Sequence, residues 1–195
     1  MNFGVLDIQG DVSEHISMLK MAINKMHIDG KVLSIKTRED LDKISGIIIP
    51  GGESTTLYNI SKRKGIYDRI IELVNDGKLN VMGTCAGAIL ISKNTNDPKV
   101  IGMGLMDFDV YRNAYGRQYN SFETYIDIEG MNEKYHAIFI RAPKISRVGN
   151  NIKVLGTYNN DPVIITDGKN MAITFHPELS GNTKIHEFFI DKLRV

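Results

Sequence analysis

"VMGTCAGAIL", residues 81–90, sets an apolar strand-like run against a helix-like one, with the chain's single cysteine, Cys85, at the joint and Gly83 and Gly87 on either side. Gly-x-Cys-x-Gly has the form of a nucleophile elbow. In that tight strand-to-helix turn a reactive side chain stands clear of a sheet edge, and small neighbours let the turn close. A free thiol is mostly un-ionised at neutral pH, and the partial positive charge and unpaired N–H groups of a helix N-terminus favour the thiolate. A lone cysteine is more often a buried structural residue. The glycine frame at a strand–helix joint turns the reading toward a nucleophile.

Working outward from the elbow, short apolar runs alternate with amphipathic stretches. Residues 3–8, 31–35, 46–50 and 79–83 read as strands. Residues 12–27 carry Val12, Ile16, Leu19, Ile23 and Met26 at helical spacing, and a second helical stretch runs from about Ser54 to Asn75 with a break near Gly65. This rhythm predicts an α/β fold of three layers, a mostly parallel central sheet flanked by helices. The C-terminal half reads as strands at 121–129, 136–140, 152–158, 162–166 and 170–175, which predicts added antiparallel strands there. A closing helix presents Ile185, Phe188, Phe189 and Leu193 on one face, with Asn182 or Thr183 as cap. One domain over 1–195 is expected, with no linker or repeat.

Composition narrows the function classes. A net charge of +1, without a block of like charge, lacks the electrostatic footprint of a nucleic-acid binder. No apolar run reaches the roughly 18 residues of a membrane span, and the N-terminus lacks the pattern of a secretory signal, so a cytoplasmic protein is expected. One cysteine makes no internal disulfide, and the five histidines show no ligand-type spacing, so no metal site is expected.

A thiolate nucleophile needs an oriented base. His27 and His186 fall in helical stretches and read as surface residues; His136 reads as a turn or strand residue; His15 sits among polar residues near the start of the first helix. His176 differs. It ends the apolar run "AITFHPEL", and Glu178 follows two positions later, on the same side of an extended chain. Pro177 holds His176 extended and stops the ladder. Glu178 can then fix the ring's tautomer, the role of a third triad member. Pro50-Gly51-Gly52 reads as a turn after a strand, and Glu53-Ser54-Thr55-Thr56 as a helix start capped by Ser54 or Thr55.

Together, GTCAG (83–87) and HPE (176–178) resemble the class I, triad-type glutamine amidotransferases. "GVLDIQGDVSEH" (4–15), "PGGESTT" (50–56), "RNAYGRQYNSFE" (112–123), "FIRAP" (139–143) and "FHPEL" (175–179) narrow the resemblance to the glutaminase-subunit family of the pyridoxal 5′-phosphate synthases. Asp7 and Asp11 depart from the smaller or apolar residues expected in the first block. The resemblance implies that L-glutamine is hydrolysed to L-glutamate and ammonia through a γ-glutamyl thioester. The ammonia passes to a partner synthase subunit for vitamin B6 formation, and no cofactor is implied.

Carried over residue by residue, the resemblance makes Cys85 the nucleophile, His176 the base and Glu178 its orienter. The backbone N–H groups of Gly52 and Ala86 would form the oxyanion hole. Gly52, Glu53, Ser54, Arg112, Ile140 and Arg141 would line the glutamine site, with Arg117 undecided, and Gln9 and His15 would lie near the active site and the synthase contact. Two rivals stand beside this: another amidotransferase or cysteine hydrolase of the same fold, and a non-catalytic regulatory module.

Overall fold

The computed structural model describes residues 1–112 and 121–193. Its first half runs β1 (Asn2–Leu6), α1 (Val12–Lys25), β2 (Lys31–Ile35), β3 (Gly46–Ile49), α2 (Ser54–Arg63), α3 (Ile66–Asn75), β4 (Asn80–Thr84) and α4 (Ala86–Ile91). The second half runs β5 (Ser92–Asn94), β6 (Met106–Tyr111), β7 (Ser121–Ile126), β8 (Tyr135–Ile140), β9 (Lys144–Val148), β10 (Lys153–Tyr158), β11 (Asp161–Thr166), β12 (Met171–Ile173) and α5 (Lys184–Asp191). The break expected near Gly65 separates α2 from α3, and Gly65 takes φ 68°, a left-handed conformation that suits glycine.

The main sheet has the order β10-β11-β12-β4-β3-β1-β2. β2, β1, β3, β4 and β12 are mutually parallel, and β11 and β10 add antiparallel strands at one edge. Strands of a parallel sheet covered on both faces need apolar residues at every position, which is why "GIII" (46–49) is buried throughout. Alternate side chains feed opposite faces. Phe3, Val5, Ile48 and Met82 enter a core with Leu19 and Phe189, beneath α1 and α5. Leu6, Ile47, Ile49 and Val81 enter the other, with Leu57, Ile70 and Ile89 from α2, α3 and α4.

The C-terminal expectation was too simple. Only β10, β11 and β12 join the main sheet. β5, β6 and β9 form a separate three-stranded sheet, and β7 pairs with β8 in an antiparallel hairpin. The hairpin is fastened behind the sheet edge by an aromatic cluster. Phe139 stacks on Phe122 with ring centroids 4.6 Å apart and packs obliquely on Phe175 at 5.4 Å. Such pairs are worth about 0.5–1.5 kcal/mol each beyond their buried area. They set the end of β8, and with it Ile140, beside the ends of β4 and β12.

Candidate active site

The C-terminal ends of β4 and β12 lie side by side, and the site is built there, as is usual for an open α/β sheet. Cys85 occupies the joint between β4 and α4 with φ 48° and ψ −108°, backbone angles strained for a side-chain-bearing residue. The flanking glycines are required by close approach. A Cβ on Gly87 would lie 1.9 Å from the Ile49 carbonyl oxygen, and one on Gly83 would lie 2.6 Å from backbone atoms of Gly87. The Cys85 N–H donates to Ile173 O at 2.8 Å, tying the elbow to β12. The thiol donates toward Ile140 O at 3.7 Å. Ala86 is the first residue of α4, so its N–H has no acceptor within its own helix.

His176 follows β12, and its N–H donates to Ile138 O at 2.8 Å. Its Nδ1 lies 2.7 Å from Glu178 Oε1. The contact expected from extended geometry is made differently: Pro177–Leu179 is a turn of 3-10 helix that swings Glu178 back under the ring. Burial alone would lower the His176 pKa. The neighbouring Cys85 and Glu178 outweigh burial and raise it to about 10. Burial alone would raise Glu178; the neighbouring His15 and His176 outweigh it and hold the carboxyl well below its usual range.

Two histidines read as bland are part of this assembly. His15 and His186 are both fully buried. His15 Nε2 lies 3.2 Å from Glu178 Oε2 and 3.1 Å from Thr84 Oγ1, and His15 Nδ1 lies 3.1 Å from His186 Nε2. His15 therefore faces inward and offers no surface for a partner to contact, and the surface reading of His186 is likewise corrected. His136 lies in β8 and pairs with Glu123 at 2.8 Å. His27 is exposed in the turn after α1.

The two acidic departures in the first block part company. Asp7 accepts from Ser34 Oγ at 2.6 Å and pairs with Lys36. Asp11 instead places Oδ2 3.2 Å from His176 Nδ1, a second carboxylate on the same ring nitrogen. Burial, then the charge of Glu178, raises its pKa. Among the described residues, donor atoms of Asp11, His176 and Glu178 gather within 4.8 Å, a convergence that histidine spacing does not reveal. His176 Nδ1 thereby faces two carboxylates, Glu178 Oε1 at 2.7 Å and Asp11 Oδ2 at 3.2 Å.

In front of Cys85 and His176 opens a cavity of about 380 Å³. Gly52, Glu53, Ser54, Ala86, Arg112, Ile140 and Arg141 all line it, with Gly10, Asp11, Ile89 and Pro143 in addition. Gln9 does not line it but braces it, its Nε2 donating to Glu53 O at 2.9 Å beside Gly52. Arg117 lies outside the described residues. Gly52 has φ 138°, open only to glycine without strain. Arg141 has φ 46°, and its side chain has no ion-pair partner among the described residues.

The cap of α2 is Glu53, not Ser54 or Thr55. Its carboxylate accepts from the N–H of Thr55 at 3.3 Å and of Thr56 at 2.7 Å, and from both hydroxyls. The Thr55 hydroxyl above all, against a smaller opposing effect of burial, lowers its pKa to about 2. Arg112 bridges Glu53 at 3.1 Å and Asp97. Released from capping, Ser54 faces the cavity. Its Oγ is buried without a hydrogen-bond partner among the described residues.

Gly51 is a contributor that sequence reasoning passes over. A Cβ there would lie 2.6 Å from His176 Cε1 and 3.3 Å from Cys85 Cβ, so the bare backbone is the wall against which the imidazole rests. The Pro-Gly-Gly tripeptide offers the signal, but which glycine touches the ring is a tertiary fact.

A family model described as the SNO glutamine amidotransferase family matches residues 5–195. Pyridoxal 5′-phosphate synthase subunit PdxT of Thermoplasma volcanium is 50% identical over 190 residues, spanning 97% of this chain and 94% of the relative. The protein of the same name from Thermotoga maritima is 42% identical, with 100% of each chain covered. A solved structure described as a glutamine amidotransferase superposes with TM-score 0.88 at 38% identity over 99% of each chain.

Proposed function

The chain belongs to the SNO glutamine amidotransferase family, and we propose that its Cys85, His176 and Glu178 hydrolyse L-glutamine to L-glutamate and ammonia for a synthase subunit that forms pyridoxal 5′-phosphate. One observation carries the chemical reading. A strained, single thiol, an imidazole beside it and a buried carboxylate on the imidazole's Nδ1 converge at one cavity. The pairing with a synthase rests on the names of the relatives, each a pyridoxal 5′-phosphate synthase subunit.

In this mechanism the Cys85 thiolate attacks the side-chain amide carbon of glutamine. His176, which took the thiol proton, returns a proton to the departing ammonia. Glu178 keeps the ring in the tautomer that presents Nε2 to sulfur and stabilises the cation. Water then cleaves the γ-glutamyl thioester. Each tetrahedral intermediate carries an oxyanion, for which the N–H groups of Ala86 and Gly52 are the donors; one such donor is typically worth about a hundredfold or more in rate. Arg141 receives the substrate α-carboxylate, and Ser54 Oγ gains in the bound amino acid the partner it lacks. Arg112, already matched by Glu53 and Asp97, shapes that wall of the cavity.

Purified chain, alone and mixed with a synthase subunit from a B6 pathway, is assayed for glutamate and ammonia release and for coupled cofactor formation. Cys85→Ser is expected to abolish both glutamine-dependent activities while cofactor formation from added ammonium persists. A Cys85→Ser protein that still releases ammonia from glutamine overturns the reading, and release from a peptide or asparagine but not glutamine favours the rival hydrolase.

A further inference from the structure

The triad carboxylate has two oxygens, and the proposed mechanism uses one. Oε1 holds His176; Oε2 is fully enclosed and has no aligned hydrogen bond among the described residues. Its close neighbour is His15 Nε2 at 3.2 Å, from the first turn of α1. The same nitrogen lies 3.1 Å from Oγ1 of Thr84, the residue before the nucleophile. One ring N–H thus sits between the strand that carries the thiol and the turn that carries the carboxylate. We infer that His15 is a positioning residue, which clamps Glu178 to Thr84 and so holds the His176 side of the triad in register with the Cys85 side.

The proton arrangement follows from satisfying buried donors. His186 is fully buried, and desolvation, then the nearby His15, lowers its pKa to about 3, so the ring is neutral with one N–H. Its Nδ1 has no partner among the described residues, while Nε2 faces His15 Nδ1 at 3.1 Å. A buried N–H left unpaired is costlier than an unpaired lone pair, so the proton belongs on His186 Nε2 and is donated to His15 Nδ1. His15 must then carry its own proton on Nε2, facing Glu178 and Thr84. The donors run in one direction, from α5 through α1 to the carboxylate.

This inference deepens the glutaminase reading, and its test has an arm that does not need glutamine. Cys85 is the chain's only thiol, so iodoacetamide alkylation reports it alone. The groups facing Glu178 are His176 from its own turn, His15 from α1, Asp11 at the cap just before it, His186 from α5 and Tyr135 from β8. Removing His15 takes away a group that holds the carboxyl down, so Glu178 protonates at higher pH and releases His176 sooner. In His15→Leu the acid limb of the alkylation-rate profile is expected to move to higher pH. The kcat for glutamine is expected to fall about ten- to a hundredfold, with KM within about twofold, as for a small misplacement of catalytic groups. His15→Gln, which can present an N–H near the Nε2 position, is expected to recover much of both. Ring-nitrogen NMR of the unaltered protein at pH 7.5 is expected to find His15 protonated on Nε2 and not Nδ1. A proton on Nδ1, a folded Leu variant with an unmoved acid limb, or equal losses in Leu and Gln variants would each overturn the assignment.

Discussion

Replacing Gly51 by alanine isolates the contribution of one missing side chain to the geometry of the triad. Gly51 is not among the residues at positive φ, so its backbone accepts alanine without conformational strain. The new Cβ would lie 2.6 Å from His176 Cε1, where ordinary contact begins near 3.4 Å, so the ring must give way by about 0.8 Å. It cannot slide freely, since Nδ1 is held by Glu178 at 2.7 Å and faced by Asp11 at 3.2 Å. Overpacking of this kind costs about 1–3 kcal/mol, and in a chain of this length each kcal/mol lowers Tm by about 2–4 °C. The protein should therefore fold. A displacement near 1 Å at a catalytic group costs about a hundredfold in rate, or about 2.7 kcal/mol of barrier. The expected result is a kcat for glutamine down about thirty- to a hundredfold, with a Tm fall of about 2–12 °C. Gly77→Ala is the comparison for backbone strain alone: nothing lies within 4 Å of its added Cβ, but its φ of 69° disfavours a side chain, so Tm should fall while kcat, read at a cavity remote from it, should hold. A folded Gly51→Ala protein with kcat within about twofold of the unaltered chain would refute the claim that Gly51 sets the imidazole.

Two further outcomes follow from buried polar groups. Ser54→Ala removes a hydroxyl that is buried without a partner; stability should hold or rise by up to about 1–3 kcal/mol, while KM for glutamine rises about five- to tenfold. Urea unfolding and initial-rate kinetics on one preparation read both, and lost stability with unchanged KM would contradict it. His186 has a folded pKa of about 3, below the usual value near 6.5, so its stabilising contribution is complete above pH 6.5 and is lost as pH falls toward 3. Within that window the loss approaches about 1.4 kcal/mol per pH unit. His186→Phe should flatten the decline in urea midpoint between pH 7 and pH 4.5, and an undiminished decline would show that the proton goes elsewhere.

How much of this was legible in the chain depends on whether the relevant signal was local. The elbow was, because Gly83 and Gly87 are demanded by backbone approach within a few residues of Cys85. The parallel strands were, because burial on both faces leaves uninterrupted apolar runs such as "GIII". The sheet of β5, β6 and β9 was harder to see. Met106-Asp107-Phe108-Asp109-Val110 alternates with period two, but its outward aspartates find their partner only in Arg147, some forty residues on. The Glu53 cap was misread because serine and threonine are the commoner caps; the carboxylate prevails by reaching two backbone N–H groups and two hydroxyls at once.

His15 and His186 carry the sharper lesson, because residue type and residue position gave opposite readings. Type says polar, hence surface. Position says otherwise: His15 lies three residues after Val12 and four before Leu19, and His186 lies three before Phe189 and four before Ile190, all on the core-facing stripes of their helices. A polar side chain on such a stripe must be paired or pay the full cost of desolvation. Two such histidines on two helices that pack together predict each other as partners, and the pair still needs an acceptor. The nearest anion is the carboxylate of Glu178, buried against His176. The periodicity that builds the helices therefore already points from α1 and α5 toward Glu178, whose second oxygen finds its near neighbour, His15, on one of them.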